Sequence, residues 1–308
     1  MRGIEISRAF YEEYGKPMIE AEFGEFRDRI AVGFVGHGSE CYGFDDDVSR
    51  DHDFEPSFCI WLTDSDEREF GFKLYRAYQK LPKDLYGVKL HNSSLCGGGT
   101  KGVMTISEFY RQYTGCEGSP ESLLDWLHTP SYFLAEATNG EVFYDPLGEF
   151  TRIRNEIKNG MPEDVRLKKI ASCAFYMAQT GQYNFERCLS HGESGAARIA
   201  LHDFVKNAVE IVFLLNKAHM PYYKWAFRAM RDLNVMGDRS SLLERIIDTP
   251  NSEKGEIKKG IDIFCADVIE ELLRQNVTSS KSKFLEDHAY SINGTIKDSR
   301  IRNMSVML

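Results

Sequence analysis

Past Pro146 the strand-like patterning of this 308-residue chain all but stops, and no other feature constrains the fold more. Beyond that point helical spacing fills residues 163–190, 194–218, 221–234, 239–248 and 254–275, with polar or Gly/Pro breaks between them. A sheet therefore has to be built from the first half alone. The expected architecture is an α/β domain over residues 1–150 and an all-helical bundle over 151–308, with a polar tail from about Thr278 that is flexible in part. In that tail Phe284, Leu285 and Ile301 are the side chains available for docking. Charge divides at the same place. Residues 1–150 carry 14 Lys/Arg against 27 Asp/Glu, a balance of −13, whereas the rest carry 24 against 20, a balance of +4. The net charge of −9 weighs against a nucleic-acid partner, whose binding would rest on a basic surface.

Within the first half the hydrophobic period changes several times. Ile6, Phe10, Tyr14 and Met18 predict an amphipathic helix over Glu5–Glu22, and the apolar run from Arg29 to Gly36 predicts a buried strand. A second strand is expected over Asp53–Leu62, irregular early because of Pro56. Thr63 or Asp64 then caps a helix over Asp66–Leu81. Strands at 86–91 and 102–107 flank the glycine-rich loop Cys96–Gly102, and a helix follows near Pro120–Leu127. Asn139-Gly140 between Phe133–Thr138 and Glu141–Tyr144 reads as a β-hairpin turn. Seven scattered cysteines without a CxxC pair, no membrane-length apolar run and no apolar leader predict a reduced, cytoplasmic chain.

One segment carries chemistry. Gly36-His37-Gly38-Ser39 ends the first predicted strand, and Asp51-His52-Asp53 opens the second. Strand side chains alternate, so Asp51 and Asp53 share a face at a spacing of about 7 Å, a hard-oxygen pair suited to Mg²⁺ together with phosphate oxygens. Glycine at position 38 lets backbone and the Ser39 hydroxyl approach a phosphate. Gly38-Ser39 followed by Asp51-x-Asp53 resembles the signature of the nucleotidyltransferase superfamily, the DNA polymerase β-like fold. The branch it looks most like is the bacterial antibiotic-adenylyltransferase and minimal-nucleotidyltransferase group, in which this α/β domain often precedes a helical bundle.

That resemblance implies a mixed sheet with helices and two Mg²⁺ ions on Asp51 and Asp53. It also implies a nucleoside triphosphate (ATP by default) held at Gly38 and Ser39, and transfer of its nucleoside monophosphate to a hydroxyl, most simply on a small molecule. The family also uses a third carboxylate. Glu108 is the nearest candidate, with Glu136 and Asp145 as alternatives; Asp145 reads better as a turn residue ahead of Pro146. Residues 134–146, 177–184 and 213–225 also resemble a bacterial family known only as a domain of unknown function.

Other candidates have plainer readings. Lys224 and Arg228 share a helix face beside Tyr222, Tyr223 and Trp225; Lys224 is the cation expected at the β- and γ-phosphates, from an interdomain cleft, or else a solvated side chain. Asp45-Asp46-Asp47 reads as a solvated acidic loop, and Cys96–Gly102, lacking GxxxxGK[ST] spacing, as a flexible connection or lid. Gln182-Tyr183-Asn184 reads as helix-end packing rather than a polar cleft patch. Arg187–His191 and Arg198–His202 have only three intervening residues each, which argues against the Arg/His spacing of HEPN ribonucleases. The competing class is a module that binds nucleotide without catalysis, or an antitoxin-like partner.

Overall fold

Ala31-Val32-Gly33-Phe34 and Cys59-Ile60-Trp61-Leu62 are apolar on both faces, the pattern of interior strands, and every one of these residues is buried. The computed structural model describes residues 2–46, 57–82, 84–85, 88–89 and 101–308. Its strands are β1 (Ala31–Phe34), β2 (Cys59–Leu62), β3 (Asp84–Leu85), β4 (Val88–Lys89), β5 (Gly102–Thr105) and β6 (Glu141–Tyr144). β5-β2-β1-β6 form one mixed sheet; β1 runs antiparallel to β2 and β6, and β5 runs parallel to β2. β3 and β4 make a separate two-stranded ribbon.

The β1–β6 register shifts between Val32 and Gly33. At that step a Cβ on Gly33 would lie 2.6 Å from the Glu141 carbonyl and 2.9 Å from the Trp61 ring, so only glycine admits β6 so close.

Side-chain alternation sends Val32, Ile60 and Leu62 to one face of the sheet. There they meet Ile6, Phe10 and Ile19 of the N-terminal helical stretch and Phe70 and Leu74 of the stretch after β2. The first stretch runs as Gly3–Phe10 and Lys16–Glu22 joined by a π-turn, Tyr11–Gly15, just before Pro17. Proline there supplies no amide, and the wider turn accommodates the interruption. Thr63 caps the second stretch by accepting from the Asp66 amide, as its sequence predicts.

Trp61 points the opposite way and is fully buried, stacked on Phe150 at 3.7 Å between centroids and edge-on to Phe109. Phe150 belongs to a helix, Glu149–Asn159, in the stretch read from sequence as the domain boundary. Burying such a ring contributes about 1.5–3 kcal/mol, which explains why a largely polar segment is drawn onto the sheet.

The expected hairpin around Asn139-Gly140 does not form. Ser131–Glu136 is a helix, and β6 pairs with β1 instead. Leu134, Ala135 and Ala137 are buried, and the Leu-Ala-Glu-Ala run is built of strong helix formers, so propensity and burial together override the two-residue turn signal.

The chain divides into two compact units, Met1–Asp125 with Thr129–Gly160, and Trp126–His128 with Met161–Leu308. The second is all-helical. Its Glu163–Met177 helix is buried on nearly every side and takes Arg166 and Lys168 into the interior with it. Lys168 Nζ donates to Asn293 Oδ1 and the Met304 carbonyl, both at 2.8 Å, and Arg166 donates to Glu163 and the Leu214 carbonyl. A π-turn, Ala178–Asn184, places Gly181 where a Cβ would be 2.2 Å from the Phe204 ring.

The polar tail carries regular structure. It forms the helices Leu285–Thr295 and Ser299–Asn303, with Leu285 and Ile301 buried. Gln182 receives it, donating to the Lys283 carbonyl and accepting from the Leu285 amide. No helix among the described residues is long and apolar enough to cross a membrane, and the six described cysteines are free thiols.

Candidate active site

β1 delivers the chain to a turn that only glycine permits at two points. Gly36 and Gly38 have φ of +126° and +123°, a region closed to residues with a Cβ. A Cβ on Gly38 would also lie 2.6 Å from Glu40 Oε2. Ser39–Tyr42 then make one 3₁₀ turn, with the Cys41 amide donating to the Gly38 carbonyl and Gly43 ending it in the left-handed region.

The turn is held from the far side of the sequence. Asn139 imitates a strand partner: its Oδ1 accepts from the Gly36 amide at 2.9 Å and its Nδ2 donates to the Gly36 carbonyl at 2.7 Å. The Gly140 amide donates to the Cys41 carbonyl at 2.8 Å, and Arg154 donates to the carbonyls of Asn139 and Gly140.

Two buried carboxylates lie against this turn, each with a basic partner. Glu40 Oε1 accepts from Lys101 Nζ at 3.0 Å, and the ammonium sits 5.1 Å over the Phe34 ring. Burial works against the Lys101 charge, but the attraction and hydrogen bond of Glu40 outweigh it and hold the ammonium above its ordinary pKa. Glu136 is 5% exposed and its Oε1 lies 3.2 Å from Nδ1 of His37, whose side chain is 62% exposed. The neighbouring thiols are insulated: burial pushes Cys41 well up and Cys59 to about 11, leaving neither as a ready nucleophile at neutral pH. Burial, with Glu136 adding to it, also raises the Tyr42 and Tyr113 hydroxyls.

The predicted site residues fare differently. Gly38 and Ser39 form the turn, with Ser39 half-buried. Asp51 and Asp53 lie outside the described residues. Because β1 and β2 are antiparallel with Gly33 opposite Cys59, β2 begins at the sheet end where β1 meets the turn. Glu108 is not brought to that end. It stands beyond Thr105 of β5, and β5 runs parallel to β2 with Thr105 beside Leu62, at the opposite edge. Its carboxylate accepts from the Thr105 amide at 3.0 Å while Thr105 Oγ1 accepts from its own amide, so Glu108 closes a capping box on the helix Ile106–Thr114.

Asp145 likewise caps, accepting from the Gly148 and Thr151 amides. Asp45 of the acidic run accepts from the Gly3 amide at the start of the first helix. Lys224 and Arg228 are exposed on the helix Tyr223–Met230 of the second unit. Among the described residues no three His, Cys, Asp or Glu side chains are grouped to hold a metal ion.

Sequence reasoning missed His37, Glu40, Lys101 and Asn139 as site-builders. Asn139 was concealed by the hairpin signal it forms with Gly140, and Lys101 by the glycine-rich stretch it ends. Glu136, weighed only as an alternative acid, is the carboxylate that reaches the turn.

Comparison with known proteins adds one family and one structure. A family described as a domain of unknown function (DUF4037) matches residues 126–226. That stretch contains Glu136, Asn139, Gly140 and Arg154, the residues that hold the turn, and also much of the second unit. Among solved structures, a nucleotidyltransferase-like protein from Exiguobacterium sibiricum 255-15 is 10% identical. Its TM-score is 0.36, with 87% of this chain and 79% of that chain covered. A score so low carries no argument. No curated protein matches. The chain is thus similar to DUF4037 over its middle third.

Proposed function

We propose that this protein is a Mg²⁺-dependent nucleotidyltransferase that moves a nucleoside monophosphate, AMP from ATP by default, to a hydroxyl of a small molecule. One observation carries the reading. The Gly36–Ser39 turn is built with glycine-only backbone at the exit of a fully buried strand, and the chain returns from it through Asp51 and Asp53 into the adjacent strand. Two separate clamps, Asn139 on Gly36 and the Lys101–Glu40 pair beneath Gly38, hold the loop. Preorganisation of this kind is what phosphate recognition by backbone and a hydroxyl requires.

On this reading the Gly38 backbone and the Ser39 hydroxyl orient the triphosphate, and Asp51 and Asp53 hold the cations. Held by those residues, Mg²⁺ would supply positive charge against the developing charge of the departing pyrophosphate. Asp51→Asn and Asp53→Asn are expected to abolish Mg²⁺-dependent pyrophosphate release from ATP without lowering the melting temperature. Wild-type activity in both variants would overturn the assignment. Tight Mg·ATP binding by the wild type with no release in any acceptor screen would favour the non-catalytic binding module.

A further inference from the structure

The capping role of Glu108 leaves the turn without the proton acceptor that Glu108 was expected to supply, whereas the His37–Glu136 pair stands on the turn itself. Three features of that pair point to proton transfer rather than packing. Glu136 is a carboxylate almost wholly removed from solvent, placed there by the helix Ser131–Glu136, and a buried carboxylate needs a strong partner. That partner, His37, is an exposed side chain between two glycines, one residue before Gly38 and two before Ser39. A carboxylate only accepts, so the 3.2 Å contact assigns the proton to Nδ1 and makes Nε2 the basic nitrogen of the neutral ring. Here the acid is inside and the base is outside.

We infer that His37 is the base that takes the proton from the acceptor hydroxyl and that Glu136 is its positioning residue, fixing the tautomer and stabilising the imidazolium as it forms. The inference rests on the nucleotidyl-transfer reading. As the acceptor oxygen forms its bond to the α-phosphorus, its proton passes to Nε2 of His37. The bond from the α-phosphorus to the bridging oxygen breaks, and pyrophosphate leaves with that electron pair. The imidazolium then returns its proton to solvent. Among the described residues, other charged or titratable groups around the pair include Glu40 and Lys101, which pair with each other, and Cys41, Tyr42 and Tyr113, whose raised pKa values keep them neutral while an imidazole titrates.

The test uses the full chain, Mg²⁺, the non-hydrolysable analogue of ATP with an α,β-methylene bridge for binding, and ATP with water as acceptor for turnover between pH 5 and 9. His37→Gln is expected to bind the analogue within about two-fold of wild type by calorimetry, yet to lose pyrophosphate release by about 10²–10⁴-fold, the usual contribution of a positioned base. The rising limb of its pH–rate profile should vanish. Glu136→Gln should move that limb to lower pH, because removing the carboxylate destabilises the imidazolium. Nitrogen-15 NMR should independently show the Nδ1–H tautomer of His37 in wild type and a mixture in Glu136→Gln. Unchanged release and profile in His37→Gln overturn the base assignment alone, whereas a wild type that binds the analogue but releases no pyrophosphate at any pH overturns the catalytic reading and this inference with it. A wild type that binds no analogue overturns the nucleotidyl-transfer reading and this inference with it.

Discussion

Gly38 shows how little freedom one residue has here. Its φ of +123° and the Glu40 carboxylate 2.6 Å from a would-be Cβ act in the same direction, because an alanine must strain its own backbone and displace a buried charge. Gly38→Ala is expected to cost about 1–3 kcal/mol in a denaturant titration and to weaken Mg·ATP binding along with it. The charge beneath it is equally exacting. Lys101→Met leaves Glu40 buried without its partner, a loss of roughly 3–5 kcal/mol for fully buried pairs. The lower end applies here, since 23% of the Lys101 side chain is exposed. Lys101→Met with Glu40→Gln should recover much of that loss, and failure to recover it would argue against the pair as the cause. The pH sign follows from the raised Lys101 pKa: its contribution is complete below the ordinary lysine value of 10.5 and drains away only as the pH climbs through the raised one.

At the scale of elements, short polar segments owe their structure to what they dock against. The helix Ser299–Asn303 is one turn long and would not persist alone. It is held because Asp164 accepts from the Lys297 and Asp298 amides and because Asp298 caps the turn through the Arg300 and Ile301 amides. The Arg300 hydrogen bond holds the Asp298 carboxyl down at about 2, so its stabilisation is present above 3.8 and lost as the pH falls through about 2. Hydrogen exchange over residues 297–304 should therefore accelerate between pH 4 and 2 before the Glu163–Met177 helix opens; synchronous opening would contradict this. The helix Ser131–Glu136 teaches the same lesson from the other side. Its Asn139-Gly140 exit has hairpin chemistry, but Asn139 spends its side chain on Gly36, a residue 103 positions away.

At the scale of the whole molecule the two units each have their own core, and the division is not at one point in the chain. Trp126–His128 belong with the second unit although residues on both sides of them belong with the first. Trp126 is buried and faces His219 with ring centroids 6.5 Å apart. Trp126→Ala should destabilise the second unit by about 3–5 kcal/mol, read as a downward shift of its calorimetric transition while that of the first unit stays in place. A fragment beginning at residue 161 should show the same deficit, since it lacks this side chain.

Sequence periodicity alone determined that the sheet is confined to the first half, that helices fill the second, and that Gly38 and Ser39 stand at the exit of a buried strand. Those features are local: spacing, propensity and turn chemistry act over a few residues. Tertiary structure decided the rest. It sent Glu108 to the far end of the sheet as a cap, made a helix of residues 131–136, docked the tail as helices, and brought Lys101, Glu136 and Asn139 to one turn. The last two of these outcomes depend on contacts between positions about 60 to 130 residues apart, and the place of Glu108 depends on strand order. No periodicity in a single chain records such partners, because a buried carboxylate or amide is satisfied by whatever the fold places beside it.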